Sequence, residues 1–402
     1  MPIPSKPMSS TEFVILLAMM VSIVALSIDI MIPALDVIGR DLDVAHGNDT
    51  QLIITSLFLG FAVGQIVAGP VSDSIGRKPV IYIGYAVFIA GCLLSVYATS
   101  LSMMLVGRVL QGLGAASPRI ITMALVRDSH KGRAMARIMS IVMAVFILIP
   151  TIAPAIGQGI IAISGWRSIF TVMMAMAIIS VTWFSLRQPE TLPQSARRKF
   201  SLTNIFSGIV EACSYRSAVG YTLASGLVFG AFIGYLSAAQ QIFQISFETG
   251  SLFPLYFGCA SLSIGAASVV NSKLVMRYGM RHLTMRALVT STLISSAFLV
   301  PTIIMNGIPP FWLFMAWLIA NFFCIGIMFG NFHALALEPL GHMAGLGAAL
   351  VGSLSTIISL PLGWAVGYLF DGGATSLVGG FTLLGVASLL VMIWTESGKA
   401  KA

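Results

Sequence analysis

Three ionisable side chains stand deep inside long apolar stretches of this 402-residue sequence, Asp29, Arg108 and Arg119, with His333 at the edge of its stretch and Glu338 just beyond. An ionisable group in hydrocarbon costs about 2.5 to 3.5 kcal/mol on insertion scales, so each needs a physical reason to be there. Asp29 lies about six residues from one end of its stretch, and Arg108 about seven from the corresponding end of another, so at 1.5 Å per residue both sit roughly 9 to 10 Å deep. A carboxyl group in such a place is drawn to its neutral form by lost hydration and to its charged form by a nearby cation. A small change in their separation would then load or release a proton. The competing reading is a permanent structural pair.

Other residues extend the same face. Ser22 precedes Asp29 by seven positions. Gln51, Thr55, Phe58, Ala62 and Gln65 form one helical stripe with polar members, suited to a wet cavity rather than lipid. Arg119 follows Arg108 by eleven residues and so returns to within about 20° of its face, although Pro118 can bend that helix. Two Arg against one Asp leave the cavity positive, as an anionic or zwitterionic substrate requires; the plainer reading is that Arg119 snorkels to a boundary. Phe229, Phe232 and Tyr235 either line a drug-sized pocket or face lipid. Gln111 and Asn321 complete the polar cavity candidates, and His333 reads as a packing residue before it reads as a proton relay.

The elements that must hold these residues follow from composition. The chain is 57% hydrophobic and 9% charged, with a mean hydropathy of +0.95, whereas soluble domains carry about a quarter of their residues as charges. Twelve apolar stretches reach the length a bilayer requires: 13–35, 50–71, 79–98, 101–125, 138–163, 168–186, 217–239, 251–270, 283–305, 310–332, 344–369 and 374–394. With both termini cytoplasmic, eighteen of the 22 Lys and Arg fall on the inner side, Lys6, Arg198, Lys199, Lys399 and Lys401 among them. Arg40 and Arg167 fall outside, and Arg108 and Arg119 within spans. That asymmetry is the positive-inside rule; it also accounts for the net charge of +8 without nucleic acid. The connection over 187–216 is basic, holds two Pro and a short amphipathic piece, and divides the spans six and six. A shift of 203 residues lays Gly76 on Gly279 and Lys78 on Arg281, a faint repeat of the parallel kind found in transporters. The expected organisation is an all-α membrane protein: an N-terminal half over 1–187, a linker over 188–215 and a C-terminal half over 216–402.

Several functions are excluded. No nucleophile, zinc or Walker motif is present, so an enzyme or an ATP-driven pump is not expected, and neither is a cofactor or a metal. Cys92, Cys213, Cys259 and Cys324 are too scattered for a disulfide framework or a metal site. No filter-like loop marks a channel. A non-transporting membrane sensor is the remote alternative, disfavoured because such proteins usually carry a sizeable soluble output domain and only about eight residues follow the last stretch.

The stretch G-P-V-S-D-S-I-G-R-K from Gly69 to Lys78 resembles the loop signature of the major facilitator superfamily, with Gly69, Asp73, Gly76 and Arg77 at its firmest positions and departures at Val71 and Ser74. The resemblance implies that Asp73, Arg77 and Lys78 belong to a cytoplasmic gate, with Arg127 and Asp128 as partners. G-R-V-L-Q-G-L-G-A from Gly107 is similar to the coupling helix of proton-driven members. P-T-I-A-P-A-I-G-Q-G, holding Pro150, Pro154, Gly157 and Gly159, is similar to a degraded antiporter signature. S-I-D-I-M-I-P-A-L from Ser27 and A-L-E-P-L-G-H-M-A-G from Ala336 resemble the Bcr/CflA branch of multidrug exporters. What this implies is a monomeric, proton-coupled exporter of drugs such as bicyclomycin, chloramphenicol or sulfonamides, in the inner membrane of a bacterium. It would work by alternating access around a site lined from spans 1, 2, 4, 5, 7, 8, 10 and 11. Asp29 would carry the proton and Arg108 tune it. The alternative is an exporter or symporter of an anionic metabolite or siderophore.

Overall fold

The computed structural model describes residues 8–197 and 200–397; Lys6, Arg198, Lys199, Lys399 and Lys401 of the charge reading lie outside them. The described residues are helical and loop, with no strand. Twelve helices are long and apolar enough to cross a membrane: Ser10–Asp41, Gly47–Ile75, Arg77–Val96, Leu101–Ser129, Gly132–Ser164, Arg167–Arg187, Arg216–Ser246, Gly250–Tyr278, Met280–Ile304, Phe311–Met343, Gly345–Tyr368 and Thr375–Ser397. They match the twelve apolar stretches one for one. Most run beyond the hydropathy limits because their ends carry charged and polar residues, which lower hydropathy without breaking a helix. The amphipathic piece of the linker is a separate helix, Leu202–Ser214.

The chain forms two compact units. The first comprises the residues up to Val44 together with Ser56–Leu202; the second comprises Ala45–Thr55 and the residues from Thr203 onward.

In the first unit the first span is held at both ends by the sixth. Glu12 accepts from Arg187 through both carboxylate oxygens, at 2.7 and 2.8 Å, and from the Trp183 indole at 3.2 Å. At the other end Asp41 accepts from Arg167 and from the Trp166 indole. The Glu12 anchor pairs a planar Arg fork with both carboxylate oxygens, the geometry that best fixes direction; at Asp41 one guanidinium nitrogen meets the carboxylate and the other donates to Ala98 O at 3.2 Å.

Between the anchors the first span is not one helix. It runs Ser10–Asp29, passes through a short turn over Ile32–Ala34, and resumes over Leu35–Asp41. Pro33 is the cause: it has no N–H to give to the Asp29 carbonyl four residues earlier. Pro150 and Pro154, by contrast, sit inside an unbroken fifth span.

In the second unit the seventh span turns a glycine face, Gly226, Gly230 and Gly234, toward Ile358, Leu362 and Val366 of the eleventh. Its aromatic face meets the tenth span instead. Phe229 packs on Phe329 at 5.7 Å, Phe232 on Phe322 at 5.5 Å, and Tyr235 edge-on to Phe322 at 4.8 Å. Small residues on one face and rings on the other let this helix sit tightly between two neighbours.

Candidate functional site

Asp29 is the last residue of its helix, buried to 4% exposure. It therefore lies at an interruption of the backbone ladder, where a membrane protein places irregular backbone only against protein or a cavity. The fifth span closes against this break. A Cβ on Gly157 would stand closer than 3.0 Å to the carbonyl oxygen of Ile30, so only glycine admits that approach. Gly159 has open space around it.

Arg108 is fully buried. It donates to the carbonyl of Ser27 at 2.7 Å, two residues before Asp29, and to Gln111 Oε1 at 2.7 Å. Gln111 passes the chain on to Ser95 Oγ at 3.2 Å, and Ser95 donates to Gly91 O at 2.9 Å. The arginine thus grips the backbone turn that carries the carboxyl group, and a polar chain runs from the first span through the fourth to the third. Ser22 bonds back to Ala18 O at 2.7 Å within its own helix.

Arg119 stands differently. Its guanidinium carbon lies 4.4 Å from the Phe146 ring centroid and 6.0 Å from that of Phe61, and it is only partly buried. Among the described residues it has no hydrogen-bond or ion-pair partner. Cation–π contacts contribute about 0.5 to 2 kcal/mol each, so the two together are comparable with the roughly 2.5 to 3.5 kcal/mol cost of a charge at membrane depth. They supply no hydrogen-bond acceptor.

The remaining candidates are placed as follows. Asn321 is fully buried and spent within a helix pair, accepting from Ser291 at 2.6 Å and Ser295 at 3.0 Å while donating to Trp317 O at 2.9 Å. Phe58 is buried. Thr55 bonds back to Gln51 O at 3.3 Å. Asn331, beside His333, exchanges amide bonds with Asn271 at 2.9 and 3.1 Å.

The Gly69–Lys78 loop builds a second polar centre. Gly76 has φ of +108°, a conformation open to glycine, and the third span starts at the next residue. Arg77, 5% exposed, donates to Asp73 at 2.5 Å, to Ser72 at 2.8 Å and to Asp128 at 3.0 Å. Glu190 was not foreseen: its two oxygens accept from the backbone N–H of Arg77 and of Lys78, both at 3.0 Å. It caps the helix start, where unpaired N–H groups and the helix dipole favour an anion. Lys78 reaches back to Gln188 O at 2.7 Å and Ser185 O at 3.1 Å. Arg127 is exposed and takes no part in these bonds. In the second unit Gly279, also at positive φ, precedes the ninth span, and Arg281 pairs with Glu338 at 2.8 Å. The shift of 203 residues therefore joins two loops of like geometry.

The sequence model for the Major Facilitator Superfamily matches residues 17–360. The chain belongs to that superfamily. Major facilitator proteins are transporters of small molecules rather than enzymes, and this one is a multi-pass membrane protein. Two curated relatives are a bicyclomycin resistance protein homolog of Haemophilus influenzae and multidrug resistance protein D of Escherichia coli. The first is 27% identical over 91% of this chain and 94% of its own; the second is 26% identical over 97% and 96%. Among solved structures, a D-xylose-proton symporter superposes with a TM-score of 0.75 at 12% identity, covering 94% of this chain and 97% of its own; that likeness concerns the fold.

Two expectations follow for this major facilitator protein. Removing a partner from a buried ion pair costs about 3 to 5 kcal/mol; Asp73 is half exposed, so water recovers part of that, leaving about 2 kcal/mol for Arg77→Ala. Thermal unfolding of the purified protein should fall by roughly 4 to 8 °C, with Arg77→Lys intermediate because Lys lacks the fork. An unchanged midpoint would remove the cluster from any account of stability.

The second concerns residues 45–55, which pack as part of the second unit. Asn48 donates to Tyr368 O at 2.9 Å and Phe370 O at 3.0 Å. Gln51 donates to Gln241 Oε1 at 2.6 Å and Gly367 O at 3.0 Å, and Gln241 donates to Asn48 Oδ1 at 3.1 Å. Gln51→Ala removes two buried bonds and strands an acceptor, about 1 to 3 kcal/mol. Amide hydrogen exchange over 45–55 should accelerate roughly ten- to hundredfold; unaltered exchange would mean that Gln51 does not hold this segment.

Proposed function

We propose that the protein exports small amphipathic compounds across the inner membrane of a bacterium in exchange for protons, as a monomer with both termini cytoplasmic. The observation that carries this reading is Asp29: a carboxyl group buried at the break of the first span, on a turn whose carbonyl Arg108 holds. The helix interruption lets the carboxyl group move relative to that arginine, and each position favours a different protonation state. Facing out, Asp29 takes a proton and substrate leaves; facing in, the proton leaves and substrate enters. The halves 1–187 and 216–402, joined by the linker 188–215, alternate between these states, with the Asp73, Arg77, Asp128 cluster biasing the inner closure. The relatives named for bicyclomycin and multidrug resistance support drug-like substrates. Arg119, ringed by Phe61 and Phe146, favours a second reading in which the cargo is an anionic metabolite.

The test is accumulation of a panel of fluorescent and antibiotic compounds in cells expressing the protein, with and without a protonophore. Lower accumulation that the protonophore abolishes supports proton-driven export. Higher accumulation driven by the same gradient would overturn it in favour of uptake by symport.

A further inference from the structure

Arg119 differs from the other arginines of the first unit that have partners. Arg40, Arg77, Arg167 and Arg187 each meet a carboxylate, and Arg108 meets a carbonyl and an amide oxygen. Arg119 meets two ring faces and no oxygen. A ring face offers no lone pair, so its N–H donors are left for an acceptor the protein does not supply. One turn further along the same span, Thr122 is fully buried with a hydroxyl that has no hydrogen-bond partner.

The surroundings argue against snorkelling into lipid headgroups. Phe61 belongs to the second span and Phe146 to the fifth, so the guanidinium is flanked by helices of its own unit on both sides. It remains partly accessible where Arg108 is sealed. Asp29, Arg108 and Arg119 stand well inside spans of this unit, and two of the three are cations, so even with Asp29 ionised the set carries a net positive charge that an anion would offset.

We infer that Arg119, beside Phe61 and Phe146, is a specificity-determining residue that receives the carboxylate of an aromatic substrate. The inference rests on the transport reading above and names the substrate class its site selects. A planar guanidinium accepts such a group through two parallel N–H bonds, and the flanking rings offer their faces to the aromatic body that carries it.

The experiment compares 2-naphthoate with its neutral counterpart 2-naphthamide, by equilibrium dialysis against the purified full-length protein in lipid nanodiscs. Wild type should bind the carboxylate at least tenfold more tightly than the amide. Arg119→Gln should bring the carboxylate-to-amide ratio close to one, with an unchanged thermal unfolding midpoint reporting that the variant is folded. Arg119→Lys should keep part of it. An unchanged carboxylate-to-amide ratio in Arg119→Gln, or a wild type that binds neither probe or prefers the amide, would overturn the inference. The outcome is separable from that of the export reading: a wild type that discriminates the carboxylate but shows no protonophore-sensitive export in cells leaves this assignment standing and removes the other.

Discussion

A transporter carrying Asp29→Asn is expected to bind its substrates with near-native affinity and to sustain no gradient of them. Asn has the shape of the neutral acid and its hydrogen-bonding groups, but no proton to exchange. Burial at the helix break and the Ser27 carbonyl held by Arg108 are both independent of the carboxylate charge, so the turn should survive the change. The drive should not survive it. One proton moving down a pH difference of one unit supplies about 1.4 kcal/mol, and its charge adds about 2.3 kcal/mol per 100 mV. Coupled one to one to a neutral substrate, these sustain a concentration ratio of a few hundredfold. In proteoliposomes with an imposed proton gradient, wild type should approach that ratio and Asp29→Asn should fall to unity, while substrate counterflow without a gradient persists in both. A variant that still accumulates substrate against its gradient would place the coupling proton on another residue.

The distance between what hydropathy reveals and what the fold adds is clearest along the first span. Its apolar run and its acidic residue are plain in the sequence, because burial of a carboxylate in such a run is rare enough to stand out. The partner of Arg108 is not plain. It is the Ser27 carbonyl, and a backbone acceptor leaves no trace in side-chain identity. The break after Asp29 was written in Pro33 but is hidden by continuous apolarity, since hydropathy ignores the lost N–H. Glu190 illustrates a different limit. In sequence it sits among linker residues after Pro189, and only the fold brings it 3.0 Å from two N–H groups 112 and 113 positions earlier. The stripe of Gln51, Thr55 and Phe58 was legible as a helical face, whereas the pairing of Gln51 with Gln241 and Gly367 spans 190 and 316 positions and could come only from tertiary structure. Periodicity shows which side of a helix is polar. It does not show which helix that side meets.

The second large effect is one of packing. Gly112→Ala is expected to unseat the fourth span from the second, although it adds a single methyl group. The new Cβ would stand closer than 3.0 Å to the Leu57 carbonyl oxygen, to its carbon and to the Phe61 nitrogen. All three are backbone atoms, so no side chain can rotate to make room. Gly60 faces the Val109 carbonyl from the opposite side in the same way, and the two glycines together set how closely the helices approach. Overpacking costs about 1 to 3 kcal/mol where side chains can yield; backbone against backbone belongs at the upper end or beyond. The displacement also reaches the functional residues. Arg108 and Gln111 flank Val109 and Gly112 on the fourth span, and Phe61, beside Arg119, lies directly at the clash. Separating the spans by the width of a methyl group should therefore stretch the 2.7 Å bond from Arg108 to Ser27 O and lower coupled transport at least tenfold, along with a lowered unfolding midpoint. Gly112→Ala with both properties intact would show that the two helices do not require the close approach their glycines permit.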